Sequence, residues 1–304
     1  MPGNPTWRMF TPLDQFDEYG GATLGLDGRV WFADQTGTAF VVFNERGKYT
    51  TVSTGSYALE RTARGPNGDI YATTGYSPTI VRFSLPTGKV TTLTLGQSAN
   101  GAITAGPDGS IWIPEESEVG RILSDGTVRE YPVGDSLGGG TAITEQMGGD
   151  VWFDAGNYLA SMHPSNGAIT KHLDDACGEY VLPTVAAPDG LVWAVCKGYL
   201  DGFTRSGVAQ RVPLPADLGF GIVGGYDNAL VGPDNAIWIA GQNVVNNVAV
   251  SAAFVRFDLV THKLHKFVPP NESYEWDAAF TFDPAGDLWG GTDNGQVQEI
   301  IFRR

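Results

Sequence analysis

The chain has 304 residues, 34 acidic against 19 basic side chains, a formal net charge of −15 and 42% hydrophobic residues. This acidic balance repels nucleic-acid phosphates and anionic lipid surfaces, so neither is expected as a partner. No apolar run approaches the ~18 residues of a membrane span, and the first residues lack the basic start and apolar core of a signal peptide, which leaves cytoplasm and exterior both open.

The first element in chain order is Thr6-Trp7-Arg8-Met9-Phe10-Thr11-Pro12, a short extended run isolated from any partner strand nearby. A repeated phrase follows: a tight-turn tetrapeptide, one or two residues, then an apolar residue and an aromatic one. It occurs as Gly25-Leu26-Asp27-Gly28 before Trp31, Gly65-Pro66-Asn67-Gly68 before Tyr71, and Gly106-Pro107-Asp108-Gly109 before Trp112. It continues as Gln146-Met147-Gly148-Gly149 before Trp152, Ala187-Pro188-Asp189-Gly190 before Trp193, Gly232-Pro233-Asp234-Asn235 before Trp238, and Asp283-Pro284-Ala285-Gly286 before Trp289. A period of roughly 40 residues with strand, turn and strand in each copy is the mark of a radially repeated β architecture.

The third copy shows the unit most clearly. Ala102–Ala105 reads as a first strand, Pro107-Asp108-Gly109 as a turn in which Pro presets φ and Gly accepts a positive one, and Ile111-Trp112 opens a second strand. Val119–Leu123 and Thr127–Tyr131, separated by Ser124-Asp125-Gly126, complete a four-stranded antiparallel blade. Seven phrases predict seven blades. The last copy, Phe280–Phe282, Asp287–Gly290 and Gln296–Phe302, stops one strand short, and the N-terminal run resembles the fourth-strand text Arg129-Glu130-Tyr131-Pro132. The N-terminal strand is therefore expected to complete the last blade and remove two open sheet edges. The expectation is an all-β, seven-bladed propeller spanning residues 1–304 as one domain, and a monomer.

Three local features interrupt the repeat. Cys177 and Cys196 both fall in the fifth copy near one rim, where a disulfide and two free thiols are equally compatible with the text. The sixth copy carries about nine extra residues, Gln242–Ser251, readable as a lid over the channel mouth or as a longer hairpin. His163, His172, His262 and His265 fall in third-to-fourth-strand regions, where solvated outer positions are expected.

The third copy, together with Val119-Gly120-Arg121-Ile122 and Thr127–Pro132, resembles the streptogramin (virginiamycin B) lyase family. The resemblance implies a seven-bladed propeller that opens a cyclic depsipeptide ester by elimination, with a His base entering the last blade, nearby Glu residues and Mg²⁺. Counted back from Trp289, that His register falls on Ala278 and the preceding Glu register on Trp276; Thr292-Asp293 follow the next strand. A one-residue slip offers Glu275 and Asp277, again without an imidazole. Opening of streptogramins by the family's mechanism is therefore not expected.

In a propeller, the loops entering the first strands share a face with those leaving the second strands. The channel register on that face reads Gly20, Glu60, Gly101, Thr141, Leu182, Asp227 and Ala278, so Glu60 and Asp227 are its charged members and the candidate catalytic groups. Tyr19, Tyr57, Tyr180, Tyr226, Tyr274, Trp276 and Asp277 flank them as candidate substrate-binding residues. Carboxylates among such rings would have raised pKa values; the alternative is a plugged channel with Glu60 paired to Arg61 or Arg64. A further acidic set, Asp34, Glu115, Glu116, Asp154 and Asp293, reads better as a solvated rim than as a divalent-cation site, and no cofactor is expected. Dinucleotide, P-loop, nucleophile-elbow and zinc motifs do not occur. The favoured function is a cofactor-independent lyase or cyclase/isomerase on a sizeable apolar small molecule; a non-catalytic binding propeller is the alternative and a metal-dependent lactonase-type hydrolase the third.

Overall fold

The computed structural model describes residues 5–12, 18–75, 77–99, 101–137, 142–145, 149–155, 158–172, 182–196, 198–215, 218–219, 229–245, 248–268, 280–291 and 295–302. Among them every regular element is a strand, and none forms a helix long and apolar enough to cross a membrane. The strands form seven antiparallel sheets, the blades of a propeller. Blade one comprises Tyr19–Leu24, Val30–Asp34, Ala39–Phe43 and Tyr49–Ser53, and blade two Thr62–Arg64, Ile70–Thr73, Thr79–Ser84 and Lys89–Thr94. Blade three is Thr104–Ala105, Ile111–Pro114, Glu118–Ile122 and Val128–Pro132; blade four Ile143–Glu145, Val151–Asp154, Leu159–His163 and Ala168–His172; blade five Leu182–Ala186, Val192–Cys196, Tyr199–Thr204 and Gly207–Pro213. Blade six contains Ala229–Val231, Ala236–Val245, Val248–Asp258 and Leu264–Phe267, with Leu218–Gly219 added beside the second strand.

The repeated phrase has a double physical purpose. Its turn closes by an i to i+3 bond, as from Gly109 N to Gly106 O (3.1 Å) and Gly190 N to Ala187 O (3.0 Å). The fourth position needs positive φ: 91° at Gly109, and 59° at Asn235, which substitutes for glycine in blade six. The phrase's aromatic then packs outward from its own blade onto the next one. Trp31 lies with Ile70, Ala72 and Phe83 of blade two, Trp112 with Val151 and Phe153 of blade four, and Trp193 with Ile237 and Phe257 of blade six. The core is thus a series of wedges between blades, each built round a buried indole except that between blades two and three, which holds Tyr71. The turn's aspartate usually accepts the indole N–H as well: Trp193 Nε1 donates to Asp189 at 3.0 Å and Trp238 Nε1 to Asp234 at 3.1 Å. In blade three Asp108 is taken by Ser110 and Arg121, so Trp112 Nε1 donates instead to Glu145 of blade four at 2.7 Å.

The ring closes where the sequence places the closure. Thr6–Phe10 pairs antiparallel with Val297–Ile301, from Thr6 opposite Ile301 to Phe10 opposite Val297, as the fourth strand beside Phe280–Phe282 and Leu288–Gly291. Phe10 stacks on Trp289 with centroids 5.4 Å apart and meets Phe43 of blade one at 5.5 Å. Arg8 brings NH1 within 2.7 Å of Glu299 Oε2, without hydrogen-bond alignment. Burial, only partly offset by Arg8 and reinforced by Asp287 and Asp283, pushes Glu299 up to about 7. Because the unfolded carboxyl titrates near 4.5, the folded chain binds a proton more tightly between those two values. Stability from this group is complete below pH ~4.5 and lost as pH rises through ~7, at about 1.4 kcal/mol per pKa unit. Melting of wild type and Glu299→Gln across pH 4.5 to 8 should therefore show the variant gaining on wild type as pH rises. Parallel curves would contradict it.

Three local outcomes differ from or resolve the sequence reading. The sixth-copy insertion is a hairpin extension: Ala236–Val245 and Val248–Asp258 pair from Ala236 opposite Asp258 out to Val245 opposite Val248, with Leu218 and Gly219 opposite Asn243 and Gln242. Its valine-rich strands pair with each other and continue the blade's sheet rather than forming a lid loop. His172 is buried, not solvated: it stacks on Trp152 at 4.5 Å, its Nε2 lies 2.8 Å from Ser161 Oγ, and burial holds its pKa below the usual range. Cys196 is disulfide-bonded; the chain's other cysteine, Cys177, lies outside the described residues.

Candidate functional site

The first strand of each blade lines the propeller axis, and there the chain offers small and branched apolar side chains. They enclose an axial cavity of about 280 Å³, to which all seven blades contribute. Its wall includes Ala22, Thr62, Ile103, Ile143, Val185, Leu230 and Phe280. Among the described residues no carboxylate, imidazole or thiol belongs to this wall. Hydroxyls come from Thr62, Thr104 and Thr144. The Thr144 hydroxyl accepts from Ala186 N at 3.2 Å, whereas the buried Thr62 Oγ1 has no hydrogen-bond partner. A buried donor and acceptor left open in an apolar wall is suited to a ligand or a water.

The first strands of blades one and two approach closely through their backbones. A Cβ on Gly21 would lie 2.6 Å from Thr62 N and 2.9 Å from Arg61 Cα, so only glycine lets these first strands meet. Arg61, almost fully buried, donates to Gly20 O and ties the two blades together. Its amide donates to Thr73 Oγ1 at 3.0 Å.

The expected channel register lies about two residues upstream of the observed wall. Among the described residues Ala22 rather than Gly20 and Thr62 rather than Glu60 line the cavity, with Phe280 in blade seven; Ala278 lies outside the described residues. Counting from the aromatics finds the strand but not the depth at which this cavity is lined. Glu60 is half-buried just before the first strand of blade two, with its N–H donating to Thr73 O at 2.9 Å. A Cβ on Gly75 would lie 3.6 Å from Glu60 Oε2, which places the carboxylate beside the turn after that blade's second strand. Glu60 forms no ion pair among the described residues, so its pairing with Arg61 or Arg64 does not occur there.

Tyr19 is fully buried, 5.3 Å from Phe32 in the wedge between blades seven and one, and presents no surface to a ligand. Tyr57 is half-buried against the cluster around Trp31 and Phe40, and its carbonyl accepts from Thr54 Oγ1 at 3.0 Å. Tyr180, Tyr226, Asp227, Tyr274, Trp276 and Asp277 lie outside the described residues, as do Ala278, Thr292 and Asp293. The Mg²⁺ chemistry implied by the family resemblance requires several oxygen ligands. Of the residues at the corresponding registers, Trp276, Ala278, Thr292 and Asp293 supply one carboxylate and the one-residue slip adds Glu275 and Asp277; all six lie outside the described residues.

The second acidic set is solvated only in part. Asp34 is buried as a turn cap, its Oδ1 accepting from Thr36 N at 3.1 Å and Gly37 N at 2.6 Å. Glu115 has no solvent exposure, while Glu116 is exposed and Asp154 half-buried. Two residues absent from the expected set, Glu118 and Glu130, meet Glu115. The signal for them lies in strand pairing: Gly120 stands opposite Glu130, leaving an open space on the face where Glu115 arrives.

Residues 11–199 match the virginiamycin B lyase family. No curated protein resembles the chain closely enough in sequence to count as a match. Among solved structures, a streptogramin B lyase superposes with a TM-score of 0.80 at 19% identity, over 99% of this chain and 98% of that one. A catalytically inactive His→Ala variant of virginiamycin B lyase from Staphylococcus aureus, with quinupristin, superposes with a TM-score of 0.78 at 20% identity, over 98% of this chain and all (100%) of the other. A propeller of different description, YCF48 bound to D1 peptide, gives a TM-score of 0.71 at 12% identity, over 98% of this chain and 97% of that one.

Proposed function

The chain belongs to the virginiamycin B lyase family, and from that premise we propose that it is a lyase or cyclase/isomerase for an apolar small molecule, held at the axis without the family's histidine. The axial cavity carries this reading: seven apolar first strands surround it, with the Thr62 hydroxyl left open in its wall. At about 280 Å³ it is near the lower end for small-molecule sites, so it receives the apolar part of a ligand whose remainder lies at the mouth. Glu60, half-buried just before the first strand of blade two, is the proposed group that moves a proton, with Asp227 as its proposed counterpart. Shape and proximity in an apolar cavity supply much of what an intramolecular ring closure or isomerisation needs, with one carboxylate to take and return a proton.

Ring opening of streptogramins is not the proposed reaction. In the relative seen with quinupristin, a His→Ala change accompanies catalytic inactivity. In this chain Ala278 occupies the register of the family's histidine. Incubating the purified protein with quinupristin and Mg²⁺ should leave the depsipeptide ring closed; efficient opening would overturn this exclusion. The positive test is metabolite capture followed by mass spectrometry of bound and converted species, with wild type, Thr62→Val, Glu60→Gln and Asp227→Asn. Thr62→Val should weaken capture, and the carboxamide variants should retain capture while losing turnover. Capture and turnover unchanged in all three variants would remove the axial site as their location. Capture without conversion by wild type would favour the binding-propeller reading.

A further inference from the structure

Blade three gathers three carboxylates away from the axial cavity. Glu115, just beyond Ile111–Pro114, meets Glu118 of the third strand and Glu130 of the fourth, with one carboxylate oxygen from each all within 4.8 Å of one another. The connection from blade two orients two of them. Gln97 N donates to Glu115 Oε2 at 2.6 Å, and the neighbouring Gly96 N donates to Glu130 Oε1 at 2.9 Å. The remaining oxygens, Glu115 Oε1 and Glu130 Oε2, are buried and have no hydrogen-bond donor. Glu115 as a whole has no solvent exposure. Among the described residues, none of the three glutamates joins an ion pair.

Gly120 makes room for this convergence. A Cβ there would collide with Glu115 Oε1 and come within 3.2 Å of Glu130 Oε2. Two buried carboxylate oxygens turned towards one space, with no donor, require positive charge between them. Burial, then the adjacent Glu130, pushes Glu115 up to about 9, the response of a carboxyl that keeps a proton when nothing better is offered. A shared proton serves two carboxylates; here a third converges.

We propose that Glu115, Glu118 and Glu130 form a divalent-cation site of the Ca²⁺ class at the junction of blades two and three. Ca²⁺ takes six to eight oxygen ligands at about 2.3–2.6 Å in flexible geometry and so accepts carboxylates placed by strand register, whereas Mg²⁺ at about 2.1 Å demands a near-ideal octahedron. The chain's net charge of −15 draws cations towards such a position. Bound there, the ion fixes the Gly96–Gln97 connection to blade three through the same glutamates that accept its amides.

The test is calorimetric titration of the chelator-treated full chain with Ca²⁺ alone, with melting measured in parallel. Wild type should bind about one equivalent and melt several degrees higher with the ion. Glu118→Gln and Glu130→Gln, which retain side-chain shape, should each lose at least about tenfold in affinity, and Gly120→Ala should abolish binding. Because Gly120→Ala could also disturb the strand, the two carboxamide variants decide. No heat and no melting shift in wild type would reduce the cluster to a proton-sharing acid pair and overturn the proposal. Unchanged Ca²⁺ affinity in both Glu118→Gln and Glu130→Gln would overturn it equally, placing the ion elsewhere.

Discussion

Removing residues 1–13 should cost most of the protein's stability and convert a cooperative melt into aggregation. Five residues of Thr6–Phe10 pair with Val297–Ile301, and their loss leaves a full strand edge of blade seven unpaired. Phe10 also leaves the stack on Trp289 and Phe43, and Trp7 leaves the cluster around Trp238 and Phe280. Trp7 and Phe10 are partly buried, so each contributes at most about 1.5–3 kcal/mol, and Glu299 loses the guanidinium of Arg8. Against a typical total of about 5–15 kcal/mol, these losses remove most of the margin. Melting followed by circular dichroism, with light scattering for aggregation, measures both effects. A truncated chain that melts like wild type would show that the closure is dispensable.

Arg82→Met should be the most damaging single substitution on the turn face of blade two. Asp69 is nearly inaccessible to solvent, and Arg82 reaches it with Nε at 2.6 Å and NH2 at 2.5 Å. Asn67 adds one further bond at 2.9 Å. Without Arg82 the carboxylate is enclosed with a single neutral donor, and breaking such a pair from one side costs about 3 kcal/mol, the lower end of the range because the arginine is partly exposed. The double variant Asp69→Asn/Arg82→Met should recover most of this, since no uncompensated charge remains. Denaturant unfolding of the four forms gives the coupling. Additive losses in the double variant would contradict the assignment.

What the sequence determined by itself was the repeat and its consequences. The turn tetrapeptides demand positive φ at Gly109 and its counterparts, and the aromatic that follows must be buried between blades, so blade number, strand order and closure by Thr6–Phe10 follow from local chemistry. A hairpin as one reading of Gln242–Ser251 was legible for the same reason. Tertiary structure decided everything that depends on depth and on contacts between repeats. The axial cavity is lined at Ala22 and Thr62 rather than at Gly20 and Glu60, because the depth at which first strands face the axis is set by how blades tilt and pack. Tyr19 and His172 are buried because neighbouring elements cover them, which strand periodicity does not reveal. The meeting of Glu115, Glu118 and Glu130 needs both the register that sets Gly120 opposite Glu130 and the blade-two connection that turns their oxygens inward. Strand identity is encoded within a few residues, whereas the surroundings of a charge are made by chain segments far apart in sequence.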